Sequence, residues 1–307
     1  MVARSTKSTA SSLSRKWDRA APSCRQSGFA ARSSDMNDVM KSSPLTFQVG
    51  SGQPRLPTSL PAAFSEQLSR LYQLVQGSVN VFASPIGPFP SEGHSCYLPR
   101  FVYFSPNRSD AALRLSFLGG FDYQDLRSTL ALLTLVEGLA RKPDLGQGLN
   151  LSFFPLVDVL GLAGLGASRR LSEHNWSRSI APEIQILEKD ARGSGYHGFV
   201  RLESAVGDDI VTVRLRAPAP LENFAPALEL ISSEELEPFA VRWESDIRPT
   251  TALGCLAMAD DLIVSPFELT VRIPAAWSIE LYAEAAASIL KRFVLRYRGF
   301  ISYAQHL

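Results

Sequence analysis

From residue 100 onward, short apolar segments alternate with longer segments of helical periodicity, and this alternation constrains the fold more than any other feature. The segments Phe101–Phe104 and Leu113–Leu118 have the length and apolar content of buried strands. Residues Gln124–Arg141 carry apolar side chains almost all round a helix, which predicts a largely buried helix. Strands that alternate with helices predict an α/β fold, with a mixed, mainly parallel sheet and helices on both faces.

The same pattern continues to the end of the chain. Proline at a first helical turn predicts a helix that begins near Pro182, and Ser278 is a suitable cap for a helix from Ile279 to about Arg298. On such a sheet, functional groups are expected at the carboxyl ends of strands. Further predicted elements are a helix through residues 64–75, a loop at Ser84–Gly93, strands at Leu149–Val157, Phe199–Leu202 and Phe267–Ile273, and a glycine-rich loop at Gly161–Gly166.

The amino-terminal segment differs in charge and composition from the rest of the chain. Residues 1–35 hold seven basic and two acidic side chains, a net charge of +5, whereas the whole chain carries only +1. Residues 1–55 are rich in Ser, Ala and Arg, so we expect disorder, or an over-extended reading frame with Met36 or Met40 as the true start. Residues 56–307 are predicted to form the folded domain.

Composition excludes several classes of protein. The three cysteines, Cys24, Cys96 and Cys255, are too few and too widely separated for a disulfide framework or a zinc knuckle. The longest uncharged run, residues 71–91, is interrupted by glycines and prolines and predicts no membrane helix. The near-neutral total lacks the basic excess that nucleic-acid binding requires. A cytoplasmic protein without nucleic-acid or membrane partners is therefore expected.

Several catalytic motifs are missing from the sequence. It contains no Gly-x-Ser-x-Gly nucleophile turn and no phosphate-binding Gly-x-x-x-x-Gly-Lys-Ser/Thr loop. Its four histidines form no His-Glu-x-x-His pair, which counts against a catalytic zinc site. Composition and spacing alone therefore leave the function open.

Two segments near the start of the predicted domain carry a family pattern. Leu98–Phe104 is similar to the strand that precedes the catalytic sheet of zinc carboxypeptidases, and Phe117–Phe121 is similar to their strand that ends in Gly-Gly-Ile. The resemblance spans residues 97–307 and is to the bacterial branch related to succinylglutamate desuccinylase and aspartoacylase. In active members the second strand continues into His-Gly-Asp-Glu, whose His and Glu bind zinc. The matching positions here are Asp122 and Asp125.

Two further segments resemble the family but depart from its motifs. Phe154–Gly161 is similar to the Pro-x-x-Asn-Pro-x-Gly turn, with Asp158 and Val159 in place of Asn and Pro. The family's Asp-Leu-Asn-Arg segment, which helps to hold the substrate carboxylate, corresponds to either Arg170–Glu173 or Glu173–Trp176. Neither register keeps an arginine at the last position of the motif.

The resemblance implies that the third zinc ligand and the general base are also replaced. Tyr196–Leu202 resembles the strand that delivers the third ligand, a histidine, whose position is taken by Glu203. Pro266–Pro274 resembles the strand Pro-Phe-Glu-x-Thr-Leu-Glu-Thr-Pro, and its second glutamate, the general base, is Arg272 here. The match continues through Arg296–Gln305. Because an arginine stays protonated at any accessible pH, it cannot accept a proton from water.

The favoured hypothesis is a pseudopeptidase with the carboxypeptidase A-like, zinc-exopeptidase architecture, retained as a binding or scaffold module. This hypothesis assigns no catalytic residue and predicts no bound metal. If Asp122, Asp125 and Glu203 converge as the ligands of the family do, three carboxylates crowd together. An arginine can supply the compensating charge, so we predict an Arg272–carboxylate cluster in place of the metal.

Two alternatives stay open at this point. Three carboxylates suit a hard cation such as Mg²⁺, Mn²⁺ or Ca²⁺, or residual zinc, so the second hypothesis is a metal-dependent carboxypeptidase, deacylase or amidase. In the third, Asp122, Glu203 and Arg272 are ordinary surface or core residues and the pocket has closed.

A small carboxylate or a peptide terminus is the expected ligand of a retained pocket. Arginine side chains are suited to receive a carboxylate, and a tryptophan is suited to line an apolar pocket. No residue pattern predicts an oligomeric state. The candidate ligand-binding residues are Arg169, Arg170, Asn175, Trp176 and Arg272.

Overall fold

A computed structural model describes most of the chain beyond residue 61, in seven stretches. These are residues 62–91, 94–106, 112–165, 171, 179–216, 239–246 and 267–304. The helices are α1 (Ala62–Gln76), α2 (Arg127–Arg141), α3 (Val159–Leu162), α4 (Pro182–Ser194) and α5 (Ile279–Ala304), with a 3-10 turn at Pro143–Gly146. Among the described residues, no helix combines the length and apolar character needed to cross a membrane.

Eight of the ten described strands form one mixed sheet, in the order β1-β4-β6-β5-β7-β10-β8-β9. Four of its seven pairings are parallel, β5–β6, β5–β7, β7–β10 and β8–β9, which confirms the predicted α/β class. Strands β2 and β3 form a separate antiparallel pair. The strands are β1 (Val81–Ala83), β2 (Ile86–Ser91), β3 (His94–Leu98), β4 (Phe101–Phe104), β5 (Leu113–Leu118), β6 (Leu149–Phe154), β7 (Gly198–Ala205), β8 (Val211–Arg216), β9 (Val241–Asp246) and β10 (Phe267–Pro274).

The helices follow the periodicity of the sequence, with differences at their ends. Helix α1 contains the helix predicted through residues 64–75. The regularly spaced apolar residues that predict it are all buried: Phe64, Leu68, Leu71 and Val75. Helix α2 begins at Arg127 rather than Gln124, because the preceding residues form a turn of their own. The Ser278 hydroxyl accepts a hydrogen bond from the Leu281 amide (3.2 Å), as expected of an N-cap, and α5 continues to Ala304.

Three predictions about the strands and loops are wrong. The predicted loop at Ser84–Gly93 contains β2, which tolerates its prolines because it pairs on one side only among the described residues. The strand expected to reach Val157 ends at Phe154. The predicted glycine-rich loop begins inside α3, where Asp158 caps the helix by accepting a hydrogen bond from the Gly161 amide. Strands β1, β3, β8 and β9 were not predicted.

The register between β7 and β10 divides the side chains of these strands between two faces. Glu203 lies beside Arg272, and Arg201 lies beside Thr270. We call the face with Arg201, Glu203, Glu268 and Arg272 the charged face. The opposite face carries Phe117, Leu269, Val271 and Ile273 and is covered by α2 and α5, so we call it the helix face.

Candidate functional site

A glycine turn after β5 positions the first two candidate residues. Gly120 has φ 62°, and a Cβ there would lie 2.6 Å from the Pro155 carbonyl oxygen, so only glycine fits without strain. Its amide donates a hydrogen bond to the Ser128 hydroxyl in α2 (2.9 Å). Asp122 and Asp125 therefore lie at the carboxyl end of β5, where functional groups of a parallel sheet are expected.

Both carboxylates at this end of β5 accept hydrogen bonds from residues two positions further along the chain. The Asp122 carboxylate is exposed and accepts a hydrogen bond from the Gln124 amide (2.9 Å). The Asp125 carboxylate accepts hydrogen bonds from the amide and the guanidinium of Arg127, at 3.1 and 3.0 Å. The local turn thus accounts for the orientation of both side chains.

Asp158 joins this turn to the one that follows β6. It is 2 % exposed, and its two carboxylate oxygens accept hydrogen bonds from the amides of Gly161 (3.0 Å) and Tyr123 (3.2 Å). Asp158 stands where the related turn has an asparagine. Its interactions are those of a residue that holds two site loops together.

A buried arginine controls the third candidate ligand position. Arg201 projects from β7 with its side chain 7 % exposed. Its guanidinium lies 2.6 Å from the Glu203 carboxylate and 3.1 Å from the fully buried Glu268 carboxylate. It also lies over the Phe121 ring, 4.9 Å from the ring centre, and Arg216 approaches the second Glu268 oxygen at 3.7 Å. Glu203 and Glu268 thus form a charge cluster with Arg201 on the charged face, and Arg216 lies at its border.

Arg272, which the sequence resemblance aligns with the general base, does not pair with its predicted partners. Arg272 is the β10 neighbour of Glu203, yet its ion pair is with Asp208, at 4.0 Å. The predicted cluster of Arg272 with Asp122, Asp125 and Glu203 is therefore wrong. Glu203 pairs instead with Arg201, which lies on the same strand.

Tyr282 of α5 lies within electrostatic range of two candidate residues. Its hydroxyl and that of Ser204 are 3.4 Å apart. Burial raises the pKa of Tyr282 well above its ordinary range, and the carboxylates of Asp125 and Glu203 raise it further. The phenol therefore stays neutral in the folded protein and cannot act as a base near neutral pH.

The described residues do not fit the metal that the sequence resemblance implies. Within the described stretches, no group of three or more His, Cys, Asp or Glu side chains is arranged to hold an ion. Glu203 is already paired with Arg201, and Asp125 with Arg127. The guanidinium groups of Arg201 and Arg272 also oppose a cation at this end of the sheet.

Four of the predicted ligand-binding residues lie outside the described residues. They are Arg169, Arg170, Asn175 and Trp176. Only Arg272 of that set is described, and its side chain is 38 % exposed.

Sequence reasoning missed Arg201, Glu268 and Asp208. A signal for the first two exists, because Arg201 and Glu203 occur at alternate positions of an otherwise apolar strand, and Glu268 interrupts a second one. Charged side chains at alternate positions of a buried strand need partners of opposite charge. An arginine in one such strand therefore predicts acidic partners nearby on the same face of the sheet.

Comparison with known proteins agrees with this architecture. No protein-family model matches the chain, and no curated protein sequence matches it. The fold is similar to a metallo-carboxypeptidase from Burkholderia cenocepacia, with a TM-score of 0.54 and 14 % identity over 77 % of this chain and 68 % of that chain. It is also similar to a candidate metallopeptidase from Shewanella denitrificans, with a TM-score of 0.52 and 17 % identity over 82 % and 97 %.

A third neighbour is a metallo-carboxypeptidase from Pseudomonas aeruginosa, solved in complex with (2-guanidinoethylmercapto)succinic acid. It has a TM-score of 0.51 and 16 % identity over 75 % of this chain and 69 % of that chain. The chain therefore has the metallocarboxypeptidase-like fold, and the resemblance read from the sequence is confirmed at that level. Identity this low carries the fold and not the activity.

Proposed function

We propose that this chain is a pseudopeptidase, in which a metallocarboxypeptidase-like fold acts as a binding or scaffold module and not as a metal-dependent hydrolase. The observation that carries the proposal is the ion-pair cluster of Arg201 with Glu203 and Glu268. The cluster includes the carboxylate of Glu203, which the sequence resemblance aligns with the third metal ligand of the related enzymes. The chain itself thus supplies the positive charge that a metal would otherwise bring.

Energetics support a permanent cluster. Releasing Glu203 and Glu268 from Arg201 would break a largely buried cluster and leave the fully buried Glu268 with only the more distant Arg216, and breaking a buried pair typically costs about 3–5 kcal/mol. A metal ion would have to offset this cost while two guanidinium groups repel it. Water activation is opposed as well, because Arg272 at the general-base position cannot accept a proton.

Arg272 is the described residue best placed to receive a ligand. Its side chain is 38 % exposed, and its ion pair with Asp208 is 4.0 Å long, beyond the length of a charge-assisted hydrogen bond. A planar guanidinium of this kind can bind a carboxylate through two parallel hydrogen bonds. We therefore propose a peptide carboxyl terminus or another small carboxylate as the ligand.

Hydrolysis is tested by assaying peptide, N-acyl amino acid and amide substrates with zinc, with manganese and without added metal. We expect no turnover above the buffer rate under any of these conditions. Metal-dependent turnover that is abolished in Asp122→Ala, and kept in the exposed remote variant Asp144→Ala, would overturn the proposal.

Ligand binding is tested by calorimetric titration with one short peptide prepared with a free and with an amidated carboxyl terminus. We expect the free terminus to bind more tightly, and Arg272→Met to remove about tenfold of that preference. Arg214→Met is the matched control, because Arg214 has the same 38 % exposure on a neighbouring strand. Equal binding of both peptides to the unmodified chain would contradict the assignment of Arg272.

A further inference from the structure

An apolar cavity lies on the helix face of the sheet, between α2 and α5. Its volume is about 200 Å³, and its inner walls are aliphatic and aromatic. The strands contribute Phe117, Leu149 and Leu151, and the helices contribute Leu139 and Leu290. The charged face lies on the other side of the same strands, so the cavity is separate from the site of the proposed function.

The cavity is bordered by a glycine in the interior of α2. A Cβ atom at Gly138 would meet no atom within 4 Å, so the helix carries a glycine where a side chain would fit. Glycine in a helix interior is less stable than alanine. The space beside Gly138 therefore stays unfilled, although an alanine at this position would stabilise the helix.

The mouth of the cavity combines exposed apolar side chains with one positive charge. Leu145 and Leu295 line it and are 49 % and 50 % exposed. Lys291 lies one helical turn before Leu295 on α5 and also lines the cavity. Among the described residues, no carboxylate lies within 4.0 Å of its ammonium group.

We propose that this cavity binds a free aliphatic carboxylate with a chain of about eight carbons. A dry apolar cavity of about 150 Å³ accepts benzene, so the present volume suits a slightly larger hydrocarbon. The alkyl chain lies between α2 and α5 and contacts Leu139 and Leu290. The carboxylate lies at the mouth beside Lys291, whose charge complements it.

The test is calorimetric titration of the full chain with octanoate and with 1-octanol. We expect saturable octanoate binding that weakens at least tenfold in Gly138→Leu, because the new side chain fills the cavity. Gly193→Leu is the matched control, since a Cβ at this exposed glycine of α4 also meets no atom within 4 Å. Thermal melts verify that both variants fold, and Gly138→Ala provides a milder filling if Gly138→Leu does not.

The charge is tested separately. Lys291→Met is expected to weaken octanoate about threefold and to leave 1-octanol unchanged, whereas Lys189→Met on α4 changes neither. The absence of saturable octanoate binding, or full binding in the folded Gly138 variants, overturns the cavity as the site. Equal affinity for octanoate and 1-octanol overturns the carboxylate.

Discussion

Strands β7 and β10 lie side by side, and their alternate side chains build two faces that are stabilised in different ways. On the charged face, Arg201, Glu203 and Glu268 are held by ion pairs between 2.6 and 3.1 Å long. On the helix face, Phe267 packs against the rings of Phe293 and Tyr297, at 5.1 and 4.5 Å between centres. Buried charges need close partners, whereas apolar packing leaves room for a cavity.

The difference predicts a large loss when the charge cluster is broken. Arg201→Met leaves the Glu203 and Glu268 carboxylates without their closest cation, so we expect the free energy of unfolding to fall by about 3–5 kcal/mol. Urea denaturation measures this change. Arg214→Met removes a half-exposed pair with Glu244 and should cost about 1 kcal/mol or less. Equal losses in the two variants would mean that burial of the cluster contributes nothing.

The helix face is expected to respond to alkaline pH through its buried tyrosine Tyr297. Burial raises the pKa of Tyr297 well above its ordinary value of 10.0, because the neutral phenol is favoured in the folded state. This contribution to stability is complete below pH 10 and is lost as the pH rises further.

We therefore expect Tyr297→Phe to lose less stability than the unmodified chain between pH 10 and pH 12, as followed by thermal melts. Tyr97→Phe, at a position 39 % exposed, is the control and should leave the alkaline loss unchanged. If Tyr297→Phe follows the unmodified chain over this range, burial of the Tyr297 phenol does not contribute to the alkaline loss.

The smallest expected effect is a gain on the helix face. Gly138→Ala adds a methyl group in open space on α2, so we expect the free energy of unfolding to rise by about 0.5–1 kcal/mol. Gly120→Ala should have the opposite sign, because its φ of 62° and the nearby Pro155 carbonyl disfavour any side chain. Differential scanning calorimetry measures both, and a loss in Gly138→Ala would show that the cavity has no room.

The elements with strong periodicity could be predicted from the sequence. Leu113–Leu118 and Phe267–Pro274 lie in the middle of the sheet and are apolar enough to be recognised as strands. Strand β2 was missed because its prolines resemble a loop, and β9 because its charged side chains resemble solvated chain. Both β2 and β9 have a neighbour on one side only among the described strands, whereas β8, which was also missed, lies between two strands.

Within the candidate site, the family motifs direct attention to particular residues, but the partners of those residues were not predicted from the sequence. Asp122, Asp125, Glu203 and Arg272 were identified by alignment with family motifs. The partner of Glu203 depends on which arginine on the same face comes within reach of its carboxylate, and the sequence offers both Arg201 and Arg272. Arg201 lies two residues from Glu203 on the same strand and is its closest cation. The predicted partner, Arg272, lies on the neighbouring strand β10.

The two outermost described strands of the large sheet have features that discourage pairing with a strand of another molecule. Among the described strands, β1 at one edge has only three residues, and β9 at the other carries Arg242 and Glu244 at alternate positions. Short edges and edges with regularly placed charges are poor templates for a strand of another molecule. The pairing of Glu244 with Arg214 thus has a consequence beyond its small contribution to stability, since it keeps a charged residue fixed on an edge that could otherwise initiate aggregation.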